Sequence, residues 1–211
     1  MQFFLQSDFQ NHFHYRIKKK LSVCISSEQF GFLQDRLISD FVGLVQKIIH
    51  STRVNKKTDM FLKLDLKKAY DRVSWTFLRL VLIQIGLKWN VVQWILGCVS
   101  SVAFCILING SPSDFFKGGR GLRQGCPLSP LLFLLVVECL SRMILKAKSD
   151  GTFYGFKVSV CNMVTHLLFV DDIIILGFGS VEGWLFLKTL LDSFCRAFGL
   201  DINLQKLFLS I

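Results

Sequence analysis

Acidic residues are the scarcest class here relative to their counterpart: 15 Asp and Glu stand against 25 Lys and Arg, for a net charge of +10. That imbalance argues against an acidic solvating tail and suits a polyanionic partner, nucleic acid first, although solvated lysines alone also produce it. A metal or disulfide framework is also missing. The seven cysteines are odd in number and form no C-x-x-C pair and no Cys/His cluster. Lying mostly in apolar runs, they are expected to be buried, reduced thiols of an intracellular protein. No secretory signal opens the chain, because Asp8 and two histidines interrupt its apolar start and the basic run follows instead of preceding it. Repeats, low-complexity tracts and linkers are absent too. The 211 residues therefore read as one domain, or one plus part of another.

What is present is apolar. Hydrophobic residues make up 52% of the chain and charged ones 19%, a globular composition. A chain of this length buries roughly 70% of its unfolded surface. Trp89 to Ser113 carries no charge and is long enough to cross a bilayer. It also contains Asn90, Gln93, Asn109, Gly110 and Pro112, which favour a buried helix followed by a strand over a membrane span.

Periodicity supplies the remaining elements. Ser26-Ser27-Glu28-Gln29 offers a helix start of N-cap type, and Phe41, Leu44, Val45, Ile48 and Ile49 predict a helix near 39–51, with a charged loop at Arg53 to Asp59. A further helix near Tyr15–Leu21 is weakly patterned. Met60 to Leu66 alternates as a strand; Val73, Phe77, Leu80, Val81 and Gln84 then trace a helical stripe, and a helix follows at 89–98. Val102 to Phe116 reads as a hairpin, Pro130 to Leu145 as a helix buried all round, and 164–170 with 173–178 as strands flanking Asp171-Asp172. A helix at 182–198 and a strand from about 201 complete an α+β pattern.

Asp171-Asp172 is the most informative pair. Two adjacent carboxylates between strong strand formers are costly beside a core unless they gain partners. They suit either an exposed hairpin turn or a pair of divalent cations. Asp65 interrupts an apolar strand in the same way; it either pairs with Lys63 or Lys67 or converges with the Asp171-Asp172 turn. Mg²⁺ takes oxygen ligands, one or two carboxylates for each ion, and fills its shell with substrate phosphates. The basic, glycine-containing turn Gly121 to Pro130 leads into a helix and could approach phosphate and base closely, as could an ordinary helix cap.

Taken in order, KLDLKKAYDRVSW (63–75), GLRQGCPLSPLLF (121–133) and HLLFVDDIIIL (166–176) resemble the three palm motifs of reverse transcriptases, in wording nearest the LINE-type, non-LTR retrotransposons of plants. SSEQFGFLQDRLISD (26–40) resembles the fingers segment of that family, and FGLDINLQKLFLSI (198–211) a segment beyond the palm. The resemblance implies a right-hand polymerase palm, an antiparallel sheet with helices on one face, over 60–211, with partial fingers over 1–59 and no thumb. It implies two Mg²⁺ ions (Mn²⁺ as a substitute) on Asp65, Asp171, Asp172 and the Leu66 carbonyl. Tyr70 would exclude a ribose 2′-OH, Gln124 and Gly125 would border the incoming nucleotide, Arg36 would either reach phosphate or form a structural ion pair, and Lys206 would act near the leaving pyrophosphate. The implied partners are an RNA template, a DNA primer and dNTPs, with no membrane. Val170 stands where LINE elements usually carry Ala, and Gln34-Asp35-Arg36 where the family has Gly-Arg. The family's triphosphate-binding stretch upstream and its primer grip downstream are not recognisable, so a truncated copy is expected. Its other domains would lie on another chain or reading frame. Two activities stay open at this point: a reverse transcriptase, or an inactive remnant that at most binds nucleic acid.

Overall fold

The computed structural model describes residues 18, 23–33, 36–55, 59–158, 163–178, 181–203 and 208–210. Lys206, Cys161 and, apart from Lys18, the helix expected near Tyr15–Leu21 lie outside the described residues. The elements run α1 (Ile38–Asn55), β1 (Asp59–Asp65), α2 (Ala69–Arg72), α3 (Trp75–Gln84), α4 (Trp89–Ser100) and four two-residue strands, β2 (Ala103–Phe104), β3 (Leu107–Ile108), β4 (Ser111–Pro112) and β5 (Phe116–Lys117). Then come α5 (Ser129–Ser149), β6 (Phe156–Lys157), β7 (Met163–Val164), β8 (His166–Phe169), β9 (Asp172–Phe178), α6 (Val181–Phe198) and β10 (Phe208–Ser210).

The frame is a four-stranded antiparallel sheet in the order β10-β1-β9-β8. Side chains alternate along each strand, so Leu62 and Leu64 of β1, Leu168 of β8, and Ile173 and Ile175 of β9 share one face. That face packs against α3, α4, α5 and α6 in a single core. α5 is its axis. Pro130 sits in the first turn, where no helical bond needs its missing N–H. Leu131 to Val137 are all at most 1% exposed, as expected for a helix apolar on every side. Phe77, Phe194 and Phe198 close the far side, with ring centroids 4.1 and 4.8 Å apart. Each such pair contributes about 0.5–1.5 kcal/mol beyond its buried area. The second face carries a smaller cluster, in which Phe41, Leu44, Val45 and Ile48 of α1 meet Leu167, Ile174 and Leu176.

Several local expectations change. Ser26 to Gln29 caps no helix: Gln29 forms a parallel bridge to Leu168 instead. Helix α1 continues through Arg53 to Asn55, into the stretch expected as loop. The buried positions of α3 are Leu78, Val81 and Leu82, while Leu80 is 55% exposed. The predicted stripe placed Val73, Phe77 and Val81 on the inner side correctly and missed at Leu80. The charge-free stretch is helix α4 followed by a hairpin, yet all eight strand positions of that hairpin are exposed. Among the described residues no helix is long and apolar enough to cross a membrane. The six described cysteines are free, and all are half-buried or exposed, not buried as expected.

Candidate active site

The ladder between β1 and β9 ends with Asp65 directly opposite Asp172. Alternation places both on the face turned away from the main core, together with Lys63. A two-residue turn, Val170-Asp171, joins β8 to β9, so the third carboxylate directly precedes Asp172 in the chain. Val170 has φ 58, a left-handed conformation that a β-branched residue rarely adopts. The backbone register thus sets position 65 opposite 172 and beside the turn that carries 171.

Asp65 is held by the segment before β10. Asn203 Nδ2 donates to Asp65 Oδ2 at 3.1 Å, and Asn203 N donates to the Asp65 carbonyl at 2.8 Å. Lys67 N donates to the Asp201 carbonyl, which makes Leu66 and Ile202 a non-hydrogen-bonded antiparallel pair. The N–H and C=O of Leu66 therefore point to the other edge of its strand, the β9 side. Asp172 has a different partner: its Oδ1 lies 2.9 Å from Lys63 Nζ, with both side chains nearly half exposed. Of the two cations weighed as partners of Asp65, Lys63 binds Asp172 and Lys67 lies 3.8 Å from Asp201.

Tyr70 lies on α2, whose entry residue Lys68 is left-handed at φ 44. Its ring stacks on Phe133 of α5, centroids 4.7 Å apart and 18° from parallel. Burial, and after it the negative charge of Asp171, pushes its phenol up to about 12. Tyr70 is thus a neutral donor at physiological pH and lies within electrostatic reach of the carboxylate turn. The basic turn is stapled to the same helix. Gly121 N donates to Val73 O, Leu122 N to Tyr70 O, and Trp75 Nε1 to Gly121 O, all at 2.7–2.8 Å. A Cβ at Gly121, where φ is 93, would stand 2.6 Å from the Asp71 carbonyl. Only glycine permits this approach. Gln124 reaches Asp71 Oδ1 at 3.4 Å, and Gly125, Arg120 and Arg123 are exposed beside it.

Arg36 is committed elsewhere. Its guanidinium donates to the carbonyls of Ile25, Ser26 and Gln29, which folds the loop back on itself. Of the two roles weighed for it, phosphate contact and a structural bond, these contacts are of the structural kind. Three residues of the site were not singled out from sequence: Asn203, Lys63 as the partner of Asp172, and Gln29, whose Oε1 accepts from Val170 N at 3.1 Å. All three act across distant segments, and only Lys63 left a trace, as a cation interrupting an apolar strand.

The donors match a hard cation in kind: three carboxylates and a backbone carbonyl, all oxygen. In their present rotamers they are not gathered, for among the described residues no three His, Cys, Asp or Glu side chains lie close enough to hold a metal ion. Turning Asp172 from Lys63 towards Asp65 gives up a half-exposed ion pair, a contribution of about 0–1 kcal/mol. The donor types therefore suit a divalent cation, although among the described residues the present rotamers do not assemble a site for one. A cavity of about 420 Å³ between α3 and α5, lined by Phe77, Val81, Glu138 and Cys139, lies apart from these residues.

The family model described as reverse transcriptase (RNA-dependent DNA polymerase) matches residues 8–210. A Transposon TX1 protein of Xenopus laevis is 34% identical over 130 residues, covering 60% of this chain and 10% of its own length. An uncharacterized mitochondrial protein of Arabidopsis thaliana is 46% identical over 67 residues, 31% of this chain and 55% of that protein. The Pol polyprotein of the R2 retrotransposable element of Popillia japonica is 27% identical over 208 residues, covering 96% of this chain and 28% of the polyprotein. The chain thus spans between a tenth and about half the length of these relatives. Among solved structures, telomerase from Candida albicans in complex with a telomeric RNA fragment superposes with TM-score 0.70 at 13% identity, covering 98% of this chain and 35% of that one. The likeness establishes the architecture as part of a right-hand polymerase fold.

Proposed function

We propose, from the premise that the chain belongs to the reverse transcriptase (RNA-dependent DNA polymerase) family, that it carries the palm of a non-LTR retrotransposon polymerase and adds dNTPs to a DNA primer 3′-OH on an RNA template. The observation that carries this reading is the pairing of Asp65 with Asp172 beside the Val170-Asp171 turn, on the sheet face left open by the main core. Two Mg²⁺ ions, or Mn²⁺ in their place, would be held by Asp65, Asp171, Asp172 and the Leu66 carbonyl. When bound, such ions lower the pKa of an attacking hydroxyl and neutralise charge on the departing pyrophosphate.

The chain's own groups do the positioning. Asn203 fixes the carboxylate of Asp65 from the side, so only Asp171 and Asp172 need to move to complete the donor set. Tyr70, pinned on Phe133, offers a rigid ring edge under the sugar, where a 2′-OH would collide. Gln124 and Gly125 lie on the turn stapled to the Tyr70 helix and would border the nucleotide, while Arg120 and Arg123 face solvent as phosphate partners. Lys206 would supply an acid or a positive charge at the pyrophosphate. We assign residues 60–211 to the palm and 1–59 to the fingers, and place the chain among plant elements, a placing supported by the Arabidopsis relative. The rest of the polymerase would come from the same polypeptide or a separate one.

A second reading has one observation in its favour. The Lys63–Asp172 ion pair occupies a ligand-to-be, which suits a chain that binds nucleic acid through its net charge of +10 without polymerising. Primer extension on poly(A)/oligo(dT) with Mg²⁺ or Mn²⁺ separates the two. Polymerisation predicts a loss of at least about 10³-fold for Asp171→Asn/Asp172→Asn, the scale of removing an electrostatic catalyst. Equal incorporation by both proteins ends the enzymatic reading. RNA retention that falls steeply with salt in the absence of incorporation selects the second.

A further inference from the structure

Gln29 is 1% exposed, yet it belongs to no motif that carries chemistry. Its backbone lies alongside β8: Phe30 N donates to Leu168 O and Leu168 N to Glu28 O, each at 2.8 Å. From there its side chain reaches the turn that bears the two aspartates. Oε1 accepts from Val170 N at 3.1 Å and from Gly31 N at 2.9 Å. The same side chain leaves Nε2 buried and without a hydrogen-bond partner, so it is held there for its oxygen.

Val170 needs such a hold. At φ 58 its branched Cβ crowds the backbone, and a free chain would leave that conformation. Gly31 packs against it beside the same amide. A Cβ at position 31 would stand 2.5 Å from Val170 Cγ2 and 2.9 Å from Val170 N, so no larger residue fits without moving the turn. The clamp is itself braced. Arg36 ties the carbonyls of Ser26 and Gln29 itself, and Ser26 N and Oγ both donate to Glu138 Oε2 of α5 at 2.9 Å.

We propose that Gln29 and Gly31 are positioning residues for the cation site: together they hold Val170 in the left-handed conformation and so set the direction in which the Asp171 and Asp172 carboxylates leave the turn. This rests on the reading that those carboxylates bind divalent cations. A segment more than 130 residues upstream thereby controls site geometry without touching a ligand.

Mn²⁺ binding to the full chain, followed by electron paramagnetic resonance, tests this without any need for polymerase activity. Gln29→Met keeps the volume and removes the acceptor, and should weaken Mn²⁺ binding by about tenfold, the order expected when a strained turn loses its restraint. Adding Val170→Gly should restore the affinity to within about twofold, because glycine holds a positive φ unaided. A purely structural role for Gln29 would not be rescued at position 170. Wild-type affinity in Gln29→Met, or a loss that Val170→Gly leaves in place, overturns the proposal. If Gln29→Met fails to fold, amide hydrogen exchange on the wild-type chain decides: the Val170 amide should be protected, and exchange at the free-peptide rate overturns the clamp. Asp171→Asn/Asp172→Asn serves as the control. Mn²⁺ binding unchanged in that variant sinks the cation reading itself, whereas its loss alongside a normal Gln29→Met sinks only the clamp.

Discussion

The two faces of the central sheet are built from the same strands, one residue out of phase, and share almost nothing else. On the packed face Leu64, Leu168, Ile173 and Ile175 are at most 1% exposed and meet four helices. On the other, α1 covers only the part around Leu167, Ile174 and Leu176, and the remainder presents Lys63, Asp65 and Asp172. Because side chains alternate with a period of two, sliding β1 by one residue would drive Asp65 into the core and lift Leu64 into water. The cost of that exchange pins the register, and the register alone brings Asp65 opposite Asp172. Cohesion on one face thus pays for exposed charge on the other.

The sharpest way to break this division is to strike the packed face. Leu64→Ala removes a fully buried side chain between sheet and helices and should lower the unfolding free energy by about 2–5 kcal/mol in urea titrations. A loss below about 1 kcal/mol would show that the two faces are energetically alike. Acid should find the packed face next. His166 is fully buried there, bonded to Ser141 Oγ at 2.7 Å and Thr165 Oγ1 at 3.0 Å. Burial, with Lys148 adding to it and Glu28 opposing, pushes its imidazole down to about 4. The native chain then binds fewer protons than the unfolded one between about pH 6.5 and 4, so the contribution is intact above that window and lost as pH falls through it. The loss should approach about 3 kcal/mol, and His166→Gln should flatten that part of the pH–stability curve. The open face supplies the smallest effect. Lys63→Met breaks a half-exposed ion pair and should change stability by no more than about 0.5 kcal/mol. It should also tighten Mn²⁺ binding by about two- to fivefold, because a competing cation is gone. Weaker Mn²⁺ binding would mean that Lys63 supports the carboxylates.

Local pattern made much of this legible. Alternation in Met60 to Leu66 revealed β1, the all-round apolar run revealed α5, and the expense of carboxylates among strand formers revealed Asp65, Asp171 and Asp172. Where the sequence misled, the deciding contact lay far along the chain. Ser26 to Gln29 looks like a helix start because serine and glutamate favour caps, but its partner is a strand about 140 residues away. Arg36 looks available for phosphate until the loop that consumes its donors is folded. The hairpin from β2 to β5 has the composition of a core, and Leu107 is nonetheless 70% exposed. Hydrophobicity states what burial would gain, and it does not say whether any element arrives to cover it.

The bond from Asn203 to Asp65 also fixes an order of events. It spans 138 residues, so a chain leaving the ribosome carries Asp65 for about 7–30 s, at 5–20 residues per second, before the residue that steadies it has been made. The nascent chain can pack its earlier helices in that interval while the corner around Asp65 and Asp172 stays unfinished. That corner would be completed only once Asn203 has been added.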